Sequence, residues 1–395
     1  MRRIYILFSL LAVILLSFTS CKKDDFREEE SFIKIYNDVD GNKKFAPLSI
    51  QQTSDQGSLI LSAYNGWNIF LMKTDLNGEI VWKLDVPSPY VSATPNLISF
   101  NGKYYFVCMD EVGLFSYIME VNENSGSVSM VKKLNGMLYP TFAFSDGNTI
   151  YIQNYDRASN ETGIHKMKSD LSAVDMTGSV DVMTSVLTQM VDHLMYSGKR
   201  YPFLVTSTND QKIAMSCFYN YSFSLLFLGD SLEMTGVYNG AAYTGGVNAL
   251  LPLSQSNQYA VARFSPDYQY FNPSVSLNTS AIDITENITS KGYPEIDPSK
   301  NVVVKELGVD GKSCIAMIGS TKSNQLLMQV FDKTSGTLLG TKYFGKNVPY
   351  TISDMVATTD GGALMLLQVK VMGNYQRIAT IKLSNEQLKE VIGVE

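Results

Sequence analysis

A repeat restricts the fold more than any other feature of this chain. Seven times a polar turn rich in Asp, Asn or Gly opens into a short run of strand formers: SDQGSLILSAY (54–64), FNGKYYFVCMD (100–110), SDGNTIYIQNY (145–155), TNDQKIAMSCFY (208–219), QSNQYAVARFS (255–265), VDGKSCIAMIGS (309–320) and TDGGALMLLQV (359–369). Between the markers Gly57, Gly102, Gly147, Asp210, Asn257, Gly311 and Gly361 the steps are 45, 45, 63, 47, 54 and 50 residues. Gly and Asn accept positive φ cheaply, so such turns join neighbouring antiparallel strands. A second turn follows most of them, in TDLNGEIVW (74–82), NENSGSVSMV (122–131), SDLSAVDM (169–176), GDSLEMTGV (229–237), DKTSGTLLGT (332–341) and SNEQLKEVI (384–392). Two hairpins per unit make four strands.

Seven four-stranded antiparallel units of this length predict an all-β chain folded as a seven-bladed β-propeller over residues 31–395. The segment SFIKIY (31–36) matches the last strand of a unit, such as IVWKLDV (80–86), and would complete the final blade and cover its open edge. LKEVIGVE (388–395) competes for that place. The long step of 63 holds Met183, Val186, Leu187, Met190, Val191, Leu194 and Met195, a helical stripe. It predicts one inserted helix near 182–196, with Asp181 at its start and Gly198 at its end.

Before the repeat the chain reads as a leader. Met1-Arg2-Arg3 precedes the apolar run IYILFSLLAVILL, which at 13 residues is too short to span a bilayer and has the pattern of a signal peptide. FTSCKKDD (18–25) then resembles a bacterial lipoprotein cleavage site, with Phe18 at the usual aliphatic position. The acidic cluster after the cysteine is similar to the export signal of Bacteroidetes-type outer-membrane surface lipoproteins. That resemblance implies lipidation of Cys21, a membrane partner through the lipid, and display at the cell surface. The expected division is a signal peptide over 1–20, lipidated Cys21 with a charged tether over 21–30, and the propeller over 31–395. The repeats also look like the blades of uncharacterised lipoproteins of that type. T-D-L-N-G-E-I-V-W resembles the docking repeat of quinoprotein propellers, but only Trp82 fills the tryptophan place, so no quinone or other cofactor is expected.

The net charge is −6, and removing the leader with its two arginines makes the remainder more acidic, which argues against nucleic acid as a partner. Cys108, Cys217 and Cys314 each sit within an apolar strand-like run and read as small buried hydrophobes rather than a disulfide framework. Two histidines, His165 and His193, give no metal-ligand set, and NDVDGNKK (37–44) lacks the spacing of a calcium loop. Neither a phosphate loop nor a nucleophile elbow is present.

Aromatic residues carry the remaining signal: 23 Tyr and 19 Phe against 2 Trp. In a propeller the between-blade loops and the second-to-third strand loops share one face. The former hold Phe45, Tyr90, Tyr139, Tyr201, Tyr243, Tyr293 and Tyr350; the latter hold Trp67, Tyr219, Tyr221, Tyr268, Tyr270, Phe271 and Tyr375. Such rings suit sugar faces or protein contacts. The ligand-binding candidates are Trp67, Tyr90, Tyr139, Tyr201, Tyr243, Tyr268, Tyr270, Phe271 and Tyr350, with the unrepeated cluster in SPDYQYFNP (265–273) ahead of the repeated tyrosines, which could equally pack their own loops. The leading expectation is a non-enzymatic binding module for a glycan or protein. The alternatives are a carbohydrate-active hydrolase or lyase with channel carboxylates, and a structural subunit of a surface complex.

Overall fold

The computed structural model describes residues 31–36, 42–195, 201–242, 244–345, 348–371 and 375–394. Seven sheets follow one another along the chain, each pairing its strands in sequence order except where the last is closed by the N-terminal strand. The first strands are Phe45–Gln52, Tyr90–Val91 with Ile98–Phe100, Pro140–Ser145, Leu204–Ser207, Gly246–Pro252, Val303–Val309 and Tyr350–Ala357. They pack beside one another and line a central channel. This is the seven-bladed propeller that the repeat requires.

Burial explains the patterning within a blade. Second and third strands are enclosed by both neighbouring blades, so SLILSAY (58–64) and SFSLLFL (222–228) are buried along almost their whole length. Unbroken apolar runs of this length, bounded by turns, are what a strand enclosed on both faces needs. Fourth strands form the rim and are mostly exposed, as in Ile80–Asp85. Cys108, Cys217 and Cys314 are free and buried in these middle strands, and burial pushes their thiol pKa values up.

Phe32–Tyr36 pairs antiparallel with Tyr375–Leu383 and closes the ring, as SFIKIY suggests. The closing strand also grips blade 1. The Tyr36 hydroxyl donates to the Gly78 carbonyl at 3.1 Å and lies 3.0 Å from the Thr380 hydroxyl, and burial pushes its pKa up to about 12. Lys34 pairs with Glu79 beside it. The rival segment is helical.

Two helices interrupt the strand pattern. The inserted helix α1 (Leu187–Met195) is shorter than 182–196, because Asp181 still belongs to the strand Val174–Asp181 and the chain bends at 183–184, with Met183 at φ +66°, before the helix begins. Gly198 lies outside the described residues. SNEQLKEVI, expected as a hairpin turn, is instead helix α2 (Asn385–Ile392): Ser384 Oγ accepts from the Gln387 amide at 3.2 Å and Gly393 ends it at φ +70°. Leu388 and Ile392 then fill the core between blades 6 and 7. Gly340 permits this, since a Cβ there would collide with the Val391 carbonyl. One further departure is a fifth strand on blade 4. Ile282–Ile284, from the long connection before the last strand of blade 5, pairs parallel with Met234–Asn239.

Polar side chains link each blade to the next. Gln51 donates to the Leu97 carbonyl, Asn96 to Ala143, Gln153 to Ser216, Ser216 to Val247, and Gln269 to Lys300, at 2.7–3.1 Å. The Ile352 amide donates to Ser320 Oγ at 3.1 Å, and Ser49 Oγ donates to Asp354 at 2.9 Å. Every blade junction is thus bridged by at least one hydrogen bond, whose partners would otherwise be buried without satisfaction.

Candidate functional site

The channel has a volume of about 470 Å³ and receives residues from all seven blades. Its wall mixes apolar side chains, Leu48, Ile98, Phe142, Phe203, Leu250 and Val303 among them, with polar ones. The polar lining groups are Gln51, Asn96, Ser99, Ser145, Thr206, Asn248, Ser353 and the pair Lys305–Asp354 at 3.1 Å. Asp354 is fully engaged, accepting also from Ser49 Oγ and from the Ile50 and Met355 amides. Glycoside hydrolysis needs two converging carboxylates. Among the described lining residues Asp354 is the only carboxylate, so the acid pair that the hydrolase alternative calls for is not assembled there. No group of three His, Cys, Asp or Glu side chains among the described residues is placed to hold a metal.

One end of the channel is roofed. Helix α1 and the chain on either side of it bury Val182, Val186, Met190, Leu194 and Phe203 in a cluster with Val91 and Met109 of blade 2, Tyr139 and Tyr155 of blade 3, Phe218 and Phe223 of blade 4, and Phe264 of blade 5. Phe142 and Phe203 belong to this cluster and also line the channel, so the aromatic roof sits directly on the channel end. Ser92 Oγ donates to the Leu194 carbonyl at 2.9 Å, and the buried His193 accepts from the Tyr201 amide at 3.1 Å. Phe203, Phe218 and Phe223 meet edge-on at 5.4–5.7 Å, a favourable arrangement of ring quadrupoles.

This roof lies on the face where the aromatic candidates fall, and it absorbs several of them. Trp67 is half-buried, packed under the roof, and its carbonyl accepts from the Ser92 amide. Tyr201 is half-buried against Phe218 at 5.0 Å. Tyr139 is buried beside Tyr155. Tyr90 packs edge-on to Tyr117 at 5.2 Å, and burial pushes its pKa up. Tyr350 is buried in the core between blades 6 and 7. Phe271 is 2% exposed and packs at a tilt against Phe331, ring centres 5.2 Å apart. Tyr243 lies outside the described residues. Among the described residues, Phe45, Tyr90, Tyr139 and Tyr350 stand at or beside the start of a first strand and are packing, whereas Tyr293 ends the last strand of blade 5 and is buried there.

Tyr268 and Tyr270 behave differently. Tyr268 is 43% exposed and meets Tyr270 edge-on with ring centres 6.1 Å apart. The Arg263 guanidinium lies 3.9 Å from the Tyr270 ring centre, and Lys322, from the second-to-third strand loop of blade 6, stands 6.0 Å from that of Tyr268. The two tyrosines expected at this place are brought together there, and Arg263 and Lys322 are added by the fold. Arg263 leaves a trace in the sequence as the one charge inside the middle-strand run QYAVARF. Lys322 leaves none, since its blade is a separate repeat.

No protein-family model matches this sequence, and no curated protein matches it. Solved structures match in fold. A structure titled "Structure of Dos1 propeller" aligns with 86% of this chain and 78% of its own at a TM-score of 0.50 and 7% identity. The S. cerevisiae core factor aligns with 89% of this chain at a TM-score of 0.52 and 11% identity. This chain spans 61% of that second chain. At these identities the likeness supports the propeller fold alone.

Proposed function

We propose that this chain is an exported, lipid-anchored propeller that binds a glycan through the loop face of blades 5 and 6. The observation that carries the reading is the corner made by the exposed Tyr268 and the half-buried Tyr270, an aromatic pair of that face that meets two cations rather than the buried packing aromatics. Angled tyrosine rings suit the apolar face of a sugar while their hydroxyls reach its polar edge. Anchoring through Cys21 rests on the leader and the cysteine that follows it. The acidic residues behind Cys21 support display on the outer surface.

A glycan-array screen with the purified full chain tests the binding reading. Binding to a defined saccharide is expected, with loss of at least tenfold in affinity on Tyr268→Ala combined with Tyr270→Ala. Retention of every array signal by that double variant would remove the reading. Anchoring has a separate test: Cys21→Ala should abolish incorporation of labelled fatty acid and shift the chain from the membrane to the soluble fraction. Protease treatment of intact cells should degrade the wild-type chain if it faces outward.

A further inference from the structure

Arg263 is half-buried and its guanidinium is underused. Its Nε donates to Ser290 Oγ at 2.9 Å, and one ring, Tyr270, lies against it. No described residue takes its terminal N–H groups, and no carboxylate pairs with it. Burial works against its charge and lowers its pKa. Of the acids nearby, Glu286 favours the Arg263 charge from a distance but forms no ion pair with it, Glu295 accepts from the Tyr343 hydroxyl at 2.8 Å, and Asp267 is exposed in the loop itself. Lys322 likewise has no carboxylate partner among the described residues and stands over the outer ring of the pair. Gly292 lies opposite Tyr270 in register; a Cβ there would sit 3.5 Å from the ring, so the glycine keeps that flank low.

A half-buried cation without a paired carboxylate is stabilised by a ligand that supplies one. A guanidinium held over a ring can present its remaining N–H groups as a fork matched to a carboxylate. The exposed Tyr268 ring beside it offers a flat apolar face of the size of one sugar ring. We propose that Arg263, Tyr270, Tyr268 and Lys322 form a subsite for a hexuronate unit of an oligosaccharide, with the sugar ring on Tyr268 and its carboxylate between Arg263 and Lys322. This rests on the glycan-binding reading above and adds the charge of the sugar.

Titration calorimetry of the full chain in detergent, with oligogalacturonate and oligoglucuronate as probes and their methyl esters as neutral controls, tests it. The expected result is binding of at least one free acid at least tenfold tighter than its ester, weakened by salt. Lys322→Ala and Tyr268→Ala, both at exposed positions, should each lower the affinity at least fivefold, and Arg263→Gln should abolish it. Equal binding of acid and ester, or binding unchanged by Lys322→Ala and Tyr268→Ala, overturns the subsite while leaving a glycan module intact. Absence of binding by both acids, or preference for a glutamate-rich peptide over both, also overturns it. Absence of any array signal from the wild-type chain in the previous experiment would instead remove the module itself.

Discussion

The two faces of the ring end their strands with different materials. On one face, blades 1, 4 and 7 turn through TSDQG (53–57), TNDQK (208–212) and TTDGG (358–362). In each the threonine hydroxyl donates to the aspartate two residues on, and that aspartate faces a lysine: Asp55 with Lys73 at 2.7 Å, Asp360 with Lys382 at 2.6 Å, and Asp210 with Lys212 at 3.9 Å. On the other face, helix α1 and aromatics drawn from several blades make one apolar roof. The first device is local and polar and is repeated. The second is assembled once, from residues far apart in sequence. A repeated turn needs only its own blade, whereas a roof over the axis has to be shared among blades.

The sharpest way to break this contrast is to cut the roof. Phe203→Ala removes a 5%-exposed ring in contact with Phe218 and Phe223 and should cost about 3–5 kcal/mol, read by urea denaturation. A loss below about 1 kcal/mol would mean that the roof is not a packed core. Cutting one turn should do less. Asp55→Ala strands the 4%-exposed Lys73, yet the aspartate is over half exposed, so about 1–2 kcal/mol is expected.

Acid should separate the faces without mutation. Burial raises the pKa values of Asp55 and Asp360, but the lysine, threonine and backbone N–H donors outweigh it and hold both below the usual carboxylate value. A lowered folded-state pKa contributes stability above the unfolded value, about 4, that is lost as pH falls through the folded one. The melting temperature should therefore drop below about pH 4, and Asp55→Asn with Asp360→Asn should flatten that drop. Equal acid sensitivity of the double variant would dissociate the turns from it. At the small end, Tyr268→Ala should change stability by no more than about 0.5 kcal/mol, because its ring is 43% exposed. A larger loss in a melting curve would place it with the packing aromatics instead.

Signals confined to one hairpin were the readable ones. The Asp, Asn and Gly turns set the strand count, and the stripe from Met183 to Met195 located the helix, although it begins only at Leu187, after a bend at 183–184, because Asp181 completes a rim strand. SNEQLKEVI was misread as a turn: in sequence its Ser-Asn start is shared by turns and helix caps, and the core that selects the helix comes from blades 6 and 7. For the candidate site, Tyr268 and Tyr270 were visible because they interrupt the repeat. The cation pair was not, because Arg263 and Lys322 belong to different blades.

By itself the sequence determined seven sheets and their order, since turn chemistry and strand periodicity act between neighbours in the chain, and it left two terminal segments as candidates for closing the ring; the structure chose the first. Only the tertiary structure decided which aromatics are packing and which face solvent, and that a helix roofs the channel. Burial is a property of what the rest of the ring brings against a side chain, and a ring returns its partners from hundreds of residues away: Asp354 meets Ser49, and Tyr36 meets Thr380.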